Sequence, residues 1–172
     1  SLHVLIVGAD VVAYGAGRAD GRSWGEWAKQ DLPLDPARTH WLGALQTDAY
    51  QRVLACSDVH LYLTVPFVLS WSLLEAMASG CCIVASDTPP VREVLTDGST
   101  GVLVDFFSPE HQAKAIGALL DSKDQRQSLG DAARQASGAY DCKEGLRAWI
   151  ELMSVNSDQT AQRPGRGPVV EV

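Results

Sequence analysis

Short apolar runs alternate with helical segments along most of the chain, and this order constrains the fold more than any other feature. Runs such as Leu5-Ile6-Val7 and Ile83-Val84-Ala85 are apolar at consecutive positions, as in strands that are buried on both faces. The alternation predicts an α/β domain: a Rossmann-like parallel sheet of five or six strands with helices on both faces. The predicted strands are 3–7, 39–43, 59–65, 81–85 and 101–104, with 59–65 inside the sheet and not at its edge.

Residues typical of helix ends mark the segments between and after these strands. Ser23 and Thr47 are suitable N-caps, and Gly80 fits the end of a helix that begins near Ser70. From Pro109 onward the chain reads as three helices. The predicted helices are 23–30, 47–55, 70–79, 89–95, 109–120, 123–137 and 142–153.

The predicted domain covers residues 1–153. Beyond it, Gln, Arg, Gly and Pro dominate without periodicity, which predicts a disordered tail over 154–172. The chain begins with Ser1 and not with Met, so we expect it to be part of a longer protein.

Charge and cysteine usage exclude several classes of function. With 21 acidic residues against 14 Lys and Arg, the net charge of −7 argues against a nucleic-acid partner. No apolar run reaches the ~20 residues of a membrane-spanning helix. The four cysteines lack metal-ligand spacing, which predicts no zinc site, and we expect reduced, buried thiols in a cytoplasmic protein.

The helix that begins near Ser70 is the first candidate site. In a parallel α/β sheet, ligands bind beyond the carboxyl ends of the strands. Free backbone amides near Leu69–Ser72 would form a phosphate-binding site there. Trp71 is the tryptophan that we expect to face a ligand. The alternative is an ordinary connection between a strand and a helix.

Glu75 is the second candidate, since it interrupts an otherwise apolar helix. A carboxylate near the mouth of the crevice can accept two hydrogen bonds from a vicinal diol such as a ribose. The alternative is the solvated edge of an amphipathic helix. None of its helical neighbours is basic: these are Trp71, Ser72, Ala78 and Ser79.

Four stretches, taken together and in order, resemble a known family. They are Leu73–Gly80 (LLEAMASG), Ile83–Asp87 (IVASD), Glu93-Val94 and Asp97–Val104 (DGSTGVLV). This combination is similar to the C-terminal domain of group 1 retaining glycosyltransferases of the GT-B fold, over residues 3–153. The resemblance implies a domain that binds a nucleotide-sugar donor. It also implies a partner outside this chain, the acceptor-binding N-terminal domain of the same protein.

The resemblance also implies roles for individual residues. Glu75 corresponds to the second Glu of the family's E-x7-E motif, which binds the donor ribose. The backbone amides that face the donor diphosphate correspond to Leu69, Ser70 and Trp71.

Three further implications concern the rest of the donor site. Leu42 and Gly43 correspond to the strand end near the nucleobase. Phe67 stands where the family has the first Glu of its motif, which contacts the donor sugar near the reacting carbon, so the catalytic residue stays unassigned. The family's Lys/Arg pair against the donor phosphates falls outside this chain, and we expect no turnover from this fragment alone.

The resemblance therefore implies the donor-binding domain of a retaining glycosyltransferase that needs neither a metal nor a cofactor, because the nucleotide-sugar is a substrate, and that acts on an unspecified acceptor. One alternative is a nucleotide-sugar-binding relative without transferase chemistry, which Phe67 motivates. Another is a sugar-nucleotide epimerase of similar fold.

Overall fold

The computed structural model describes residues 2–12, 16–64 and 69–161, with side chains to residue 154. The chain forms two compact units, Ser1–Asp58 and Val59–Val172, where the sequence predicted one domain over 1–153.

The first unit contains two parallel strands and two helices. Its elements are β1 (Val4–Val7), α1 (Trp24–Asp31), β2 (Thr39–Gly43) and α2 (Thr47–Cys56). The side chain of Ser23 accepts a hydrogen bond from the Glu26 amide, and the Glu26 carboxylate accepts one from the Ser23 amide. This capping box confirms Ser23 as the N-cap of α1. For α2 the prediction was wrong, since Gln46 and not Thr47 is the N-cap.

The second unit is built on three parallel strands in the order β3-β4-β5. Its elements are β3 (His60–Tyr62), α3 (Trp71–Ser79), β4 (Ile83–Ser86), α4 (Pro89–Arg92), β5 (Val102–Val104), α5 (Pro109–Leu120), α6 (Lys123–Ser137), a 3-10 turn (Gly138–Tyr140) and α7 (Cys142–Ala161). Every residue of β4 is buried, as the consecutive apolar residues predicted for a strand that is covered on both faces.

The parallel α/β class is confirmed, but the described strands form a two-stranded and a three-stranded sheet and not one sheet of five or six. Among the described strands of the second unit, β3 lies at the edge of the sheet and not in the interior position predicted for 59–65. An apolar run indicates that the faces of a strand are covered. It carries no information on how many neighbours the strand has in the hydrogen-bonding direction.

Helix α3 is fixed at its carboxyl end by α6. Its inner face is buried, and Gly80 ends the helix in the left-handed conformation, with a φ of 74°. Arg134 on α6 donates a hydrogen bond of 2.6 Å to the Ser79 carbonyl. Gly130 lies so close that a Cβ there would be 2.3 Å from the Gly80 carbonyl oxygen. Close packing of α6 thus holds the helix that bears the candidate residues.

Helix α7 continues to Ala161, whereas the sequence predicted a disordered tail over 154–172. A helix needs only local backbone hydrogen bonds, and the first residue beyond 153 that stops one is Pro164. The predicted tail residues 162–172 lie outside the described part of the chain.

All four cysteines lie in the described part of the chain, and none forms a disulfide. Cys81 and Cys82 are buried, and burial raises the pKa of both thiols to about 11. Cys56 and Cys142 are exposed, which corrects the expectation of four buried thiols. Among the helices described, none is both long enough and apolar enough to cross a membrane.

Candidate functional site

The amino end of α3 lies beyond the carboxyl end of β3, where the sequence placed a phosphate seat. Ser70 is the N-cap, and its Oγ accepts a hydrogen bond of 3.3 Å from the Ser72 amide. The Ser70 amide itself donates to the Tyr62 hydroxyl oxygen over 3.0 Å, so this predicted phosphate donor already has an acceptor. Trp71 follows as the first helical residue, whose amide has no acceptor within the helix. The half-buried Leu69 precedes the cap.

Helices α1 and α3 differ in the charge at their amino ends. In the first unit, the Asp10 carboxylate accepts hydrogen bonds from the Ser23 hydroxyl at 2.5 Å and the Gly25 amide at 3.0 Å. These two bonds hold the pKa of Asp10 below its usual range. An anion from the chain therefore occupies the amino end of α1. The first turn of α3 contains no acidic residue, so no carboxylate of that turn neutralises the positive end of the helix, which favours an anion there.

A groove of about 300 Å³ opens along the outer face of α3. One wall comes from α3 and the other from the segment that joins α6 to α7. The lining residues are Trp71, Leu74, Glu75, Ala78, Ser137, Gly138, Tyr140 and Asp141. The structure thus brings two of the predicted site residues, Trp71 and Glu75, into one concave surface.

Glu75 lies one helical turn beyond Trp71 on the same face of α3. Its side chain is exposed, and no described residue forms a hydrogen bond or ion pair with it. The carboxylate is therefore solvated, as the helix-edge alternative proposed, and it also lines the groove. Trp71 beside it is 81% exposed, which is unusual for an indole.

The second wall adds an aromatic ring and a further carboxylate. The Tyr140 hydroxyl donates a hydrogen bond of 3.2 Å to the Glu93 carbonyl, which fixes the ring. The Asp141 carboxylate accepts a bond of 2.7 Å from the Lys143 amide. Among the described residues, none that lines the groove is basic. Two carboxylates and two aromatic rings suit a neutral ligand that bears hydroxyl groups, whereas a phosphate in the same place would be repelled.

The remaining predicted residues lie elsewhere. Leu42 and Gly43 form the carboxyl end of β2 in the first unit, with Gly43 at a φ of 66°. Phe67 lies outside the described residues. The described part of the chain contains no group of three or more His, Cys, Asp or Glu side chains that could hold a metal ion.

Sequence reasoning missed the wall Ser137–Asp141 and the contact between Tyr62 and Ser70. No sequence signal marks either, because each joins residues through the folding of the chain and not through spacing along it.

Comparison with known proteins gives the family. The model for glycosyl transferases group 1 matches residues 27–136, which is more than half of the chain. A D-inositol 3-phosphate glycosyltransferase of Xylanimonas cellulosilytica is 36% identical over 92 residues, which are 54% of this chain and 21% of the relative. A phosphatidyl-myo-inositol mannosyltransferase of Mycobacterium tuberculosis is 40% identical over 73 residues, 40% of this chain and 19% of the relative. These matches span about a fifth of the relatives' length.

Solved structures agree on the fold. Anabaena HepE in complex with UDP matches with a TM-score of 0.76 at 20% identity, over 90% of this chain and 41% of that one. The C-terminal domain of a group 1 family glycosyl transferase of Francisella tularensis matches with a TM-score of 0.54 at 18% identity, over 59% of this chain and 53% of that domain. The fold is that of GT-B glycosyltransferases, and the match indicates a fragment of the C-terminal domain. On the family match and this fold, the chain belongs to the group 1 glycosyl transferases.

Proposed function

We propose that this chain is the donor-binding domain of a retaining glycosyltransferase, which transfers a sugar from a nucleotide-sugar to an acceptor. The observation that carries the proposal is Glu75, an exposed carboxylate without a partner among the described residues. It lies in the groove, one turn from a helix start that is free of acidic residues. Family membership favours transfer over the epimerase alternative.

In the proposed complex each part of the donor meets a different part of the chain. Glu75 accepts hydrogen bonds from the ribose diol. The diphosphate lies at the amino end of α3, where the Trp71 amide and the helix dipole attract negative charge. For the first unit we propose separately that Leu42 and Gly43 bind a nucleobase. The UDP complex of HepE supports a nucleotide-sugar as the donor class.

The proposed enzyme also needs parts that this chain does not supply. Its acceptor site belongs to an N-terminal domain of the same protein, so the fragment alone is proposed to be inactive. We place the protein in the cytoplasm, which the absence of disulfides among its four cysteines supports. The proposed transfer requires neither a metal nor a cofactor besides the donor itself.

Ligand-induced stabilisation tests the proposal. In the full-length protein, UDP, GDP or ADP should raise the melting temperature, with a gain of about 2.7 kcal/mol at a hundredfold excess over its Kd. The matching nucleoside without phosphates is the control and should stabilise much less, since it cannot use the amino end of α3. A protein that none of the three diphosphates stabilises would contradict the proposed function.

Phe67 motivates the second candidate, a relative that binds nucleotide-sugars without transferring the sugar. We favour a rearranged but active site, because the stretches 73–80 and 101–104 keep the family pattern around it. Phe67→Glu should then leave turnover of the full-length protein no higher. The measurements are the melting temperature and the hydrolysis of UDP-glucose by the full-length protein, with Phe67→Leu as the apolar control. A gain in turnover without a loss of stability would favour the second candidate.

A further inference from the structure

Two buried hydroxyl groups fix the ends of the connection between β3 and α3. Tyr62, the last residue of β3, is 7% exposed, and Ser86, the last residue of β4, is fully buried. Neither residue is among the donor contacts proposed above.

Ser86 holds the beginning of the connection. The β3–β4 pairing ends with Tyr62 opposite Ala85. Beyond that point, the Ser86 Oγ accepts a hydrogen bond of 2.9 Å from the Thr64 amide and donates one of 2.8 Å to the Thr64 carbonyl. The Ser86 hydroxyl thus replaces the backbone partner that β4 would otherwise provide. It binds Thr64 to the end of β4 beyond the last β3–β4 pair.

Tyr62 holds the end of the connection. Its hydroxyl oxygen accepts the Ser70 amide over 3.0 Å, and Ser70 is the N-cap of α3. Because the Tyr62 ring is buried in the sheet layer, this bond ties the cap of the helix to a rigid strand. The adjacent Trp71 amide is held in place with the cap.

We propose that Tyr62 and Ser86 are positioning residues for the donor: the Tyr62 hydroxyl holds the cap of α3, and the Ser86 hydroxyl holds Thr64, two residues after Tyr62, and so keeps the end of that strand in place. The inference rests on the proposed function, because the first turn of α3 is the proposed diphosphate seat. Neither side chain needs to touch the donor. Their effect is to keep the Trp71 amide and the axis of α3 at the position that the diphosphate requires.

Tyr62→Phe and Ser86→Ala in the full-length protein test the inference. Each removes one hydroxyl and keeps the rest of the side chain. The substrate is UDP-glucose, or the sugar derivative of GDP or ADP if one of these binds instead of UDP. We expect the KM for this donor to rise about tenfold in each variant, with kcat nearly unchanged. Hydrogen exchange at the amides of residues 70–73 should become faster in both variants.

Ser122→Ala is the matched control, because Ser122 caps α6 and its Oγ accepts from the Gln125 amide. It should lower the melting temperature and leave the donor KM unchanged. Variants that lose stability without a change in donor KM, as in this control, would overturn the inference. Unchanged exchange at residues 70–73 in both variants would also overturn it, whatever the protein binds. If the parent protein binds none of the three diphosphates, the proposed function is contradicted. The role of Tyr62 and Ser86 in positioning a donor is then contradicted as well.

Discussion

Gly130→Ala is expected to lower the free energy of unfolding by roughly 3 kcal/mol, the upper part of the range for overpacked cores. The added Cβ would lie 2.3 Å from the Gly80 carbonyl oxygen. Backbone cannot rotate away as a flexible side chain can, so α6 must shift from α3 or α3 must lose its end. The measurement is urea unfolding of the parent and the variant.

Gly117→Ala is the matched control for this prediction. Gly117 is also a helical glycine, on α5, but a Cβ there would meet nothing within 4 Å. Its replacement should stabilise the protein by about 0.5–1 kcal/mol, through the higher helix propensity of alanine. The same chemical change should thus have opposite signs at the two positions. Equal effects of both substitutions would show that α6 does not approach Gly80 as closely as described.

Glu75→Gln is expected to weaken nucleoside diphosphate binding by roughly 1.5–3 kcal/mol, the range for a hydrogen bond to a charged group. The change keeps the shape of the side chain and removes its charge. Titration calorimetry with UDP, GDP or ADP measures the loss of affinity. The melting temperature without ligand should stay the same, since Glu75 is exposed and has no partner among the described residues.

Glu110→Gln is the control for the loss of one negative charge. Glu110 is an exposed residue in the first turn of α5 and does not line the groove. It should leave the affinity for the diphosphate unchanged, which separates a direct contact of Glu75 from a general effect of net charge. If Glu75→Gln binds the diphosphate as tightly as the parent, the ribose assignment is wrong.

The sequence alone determined those features whose causes lie within a few residues. Strand β4 follows from consecutive apolar residues, and the cap of α1 follows from Ser23 and Glu26 at capping-box spacing. Gly80 marks the end of α3 because it adopts the left-handed conformation without strain. The motif stretches within residues 73–104 identify the family, in agreement with the family model that matches residues 27–136.

Only the tertiary structure decided which distant residues meet. Four features depend on contacts between separate stretches of chain. They are the place of β3 in its sheet, the groove wall at Tyr140 and Asp141, the hydrogen bond from Thr64 to Ser86, and the close approach of Gly130 to Gly80. Periodicity reports which face of an element is covered, but not which element covers it. Local spacing therefore fixed the elements and pointed to Glu75. Packing, which depends on the whole chain at once, decided what lies around that residue.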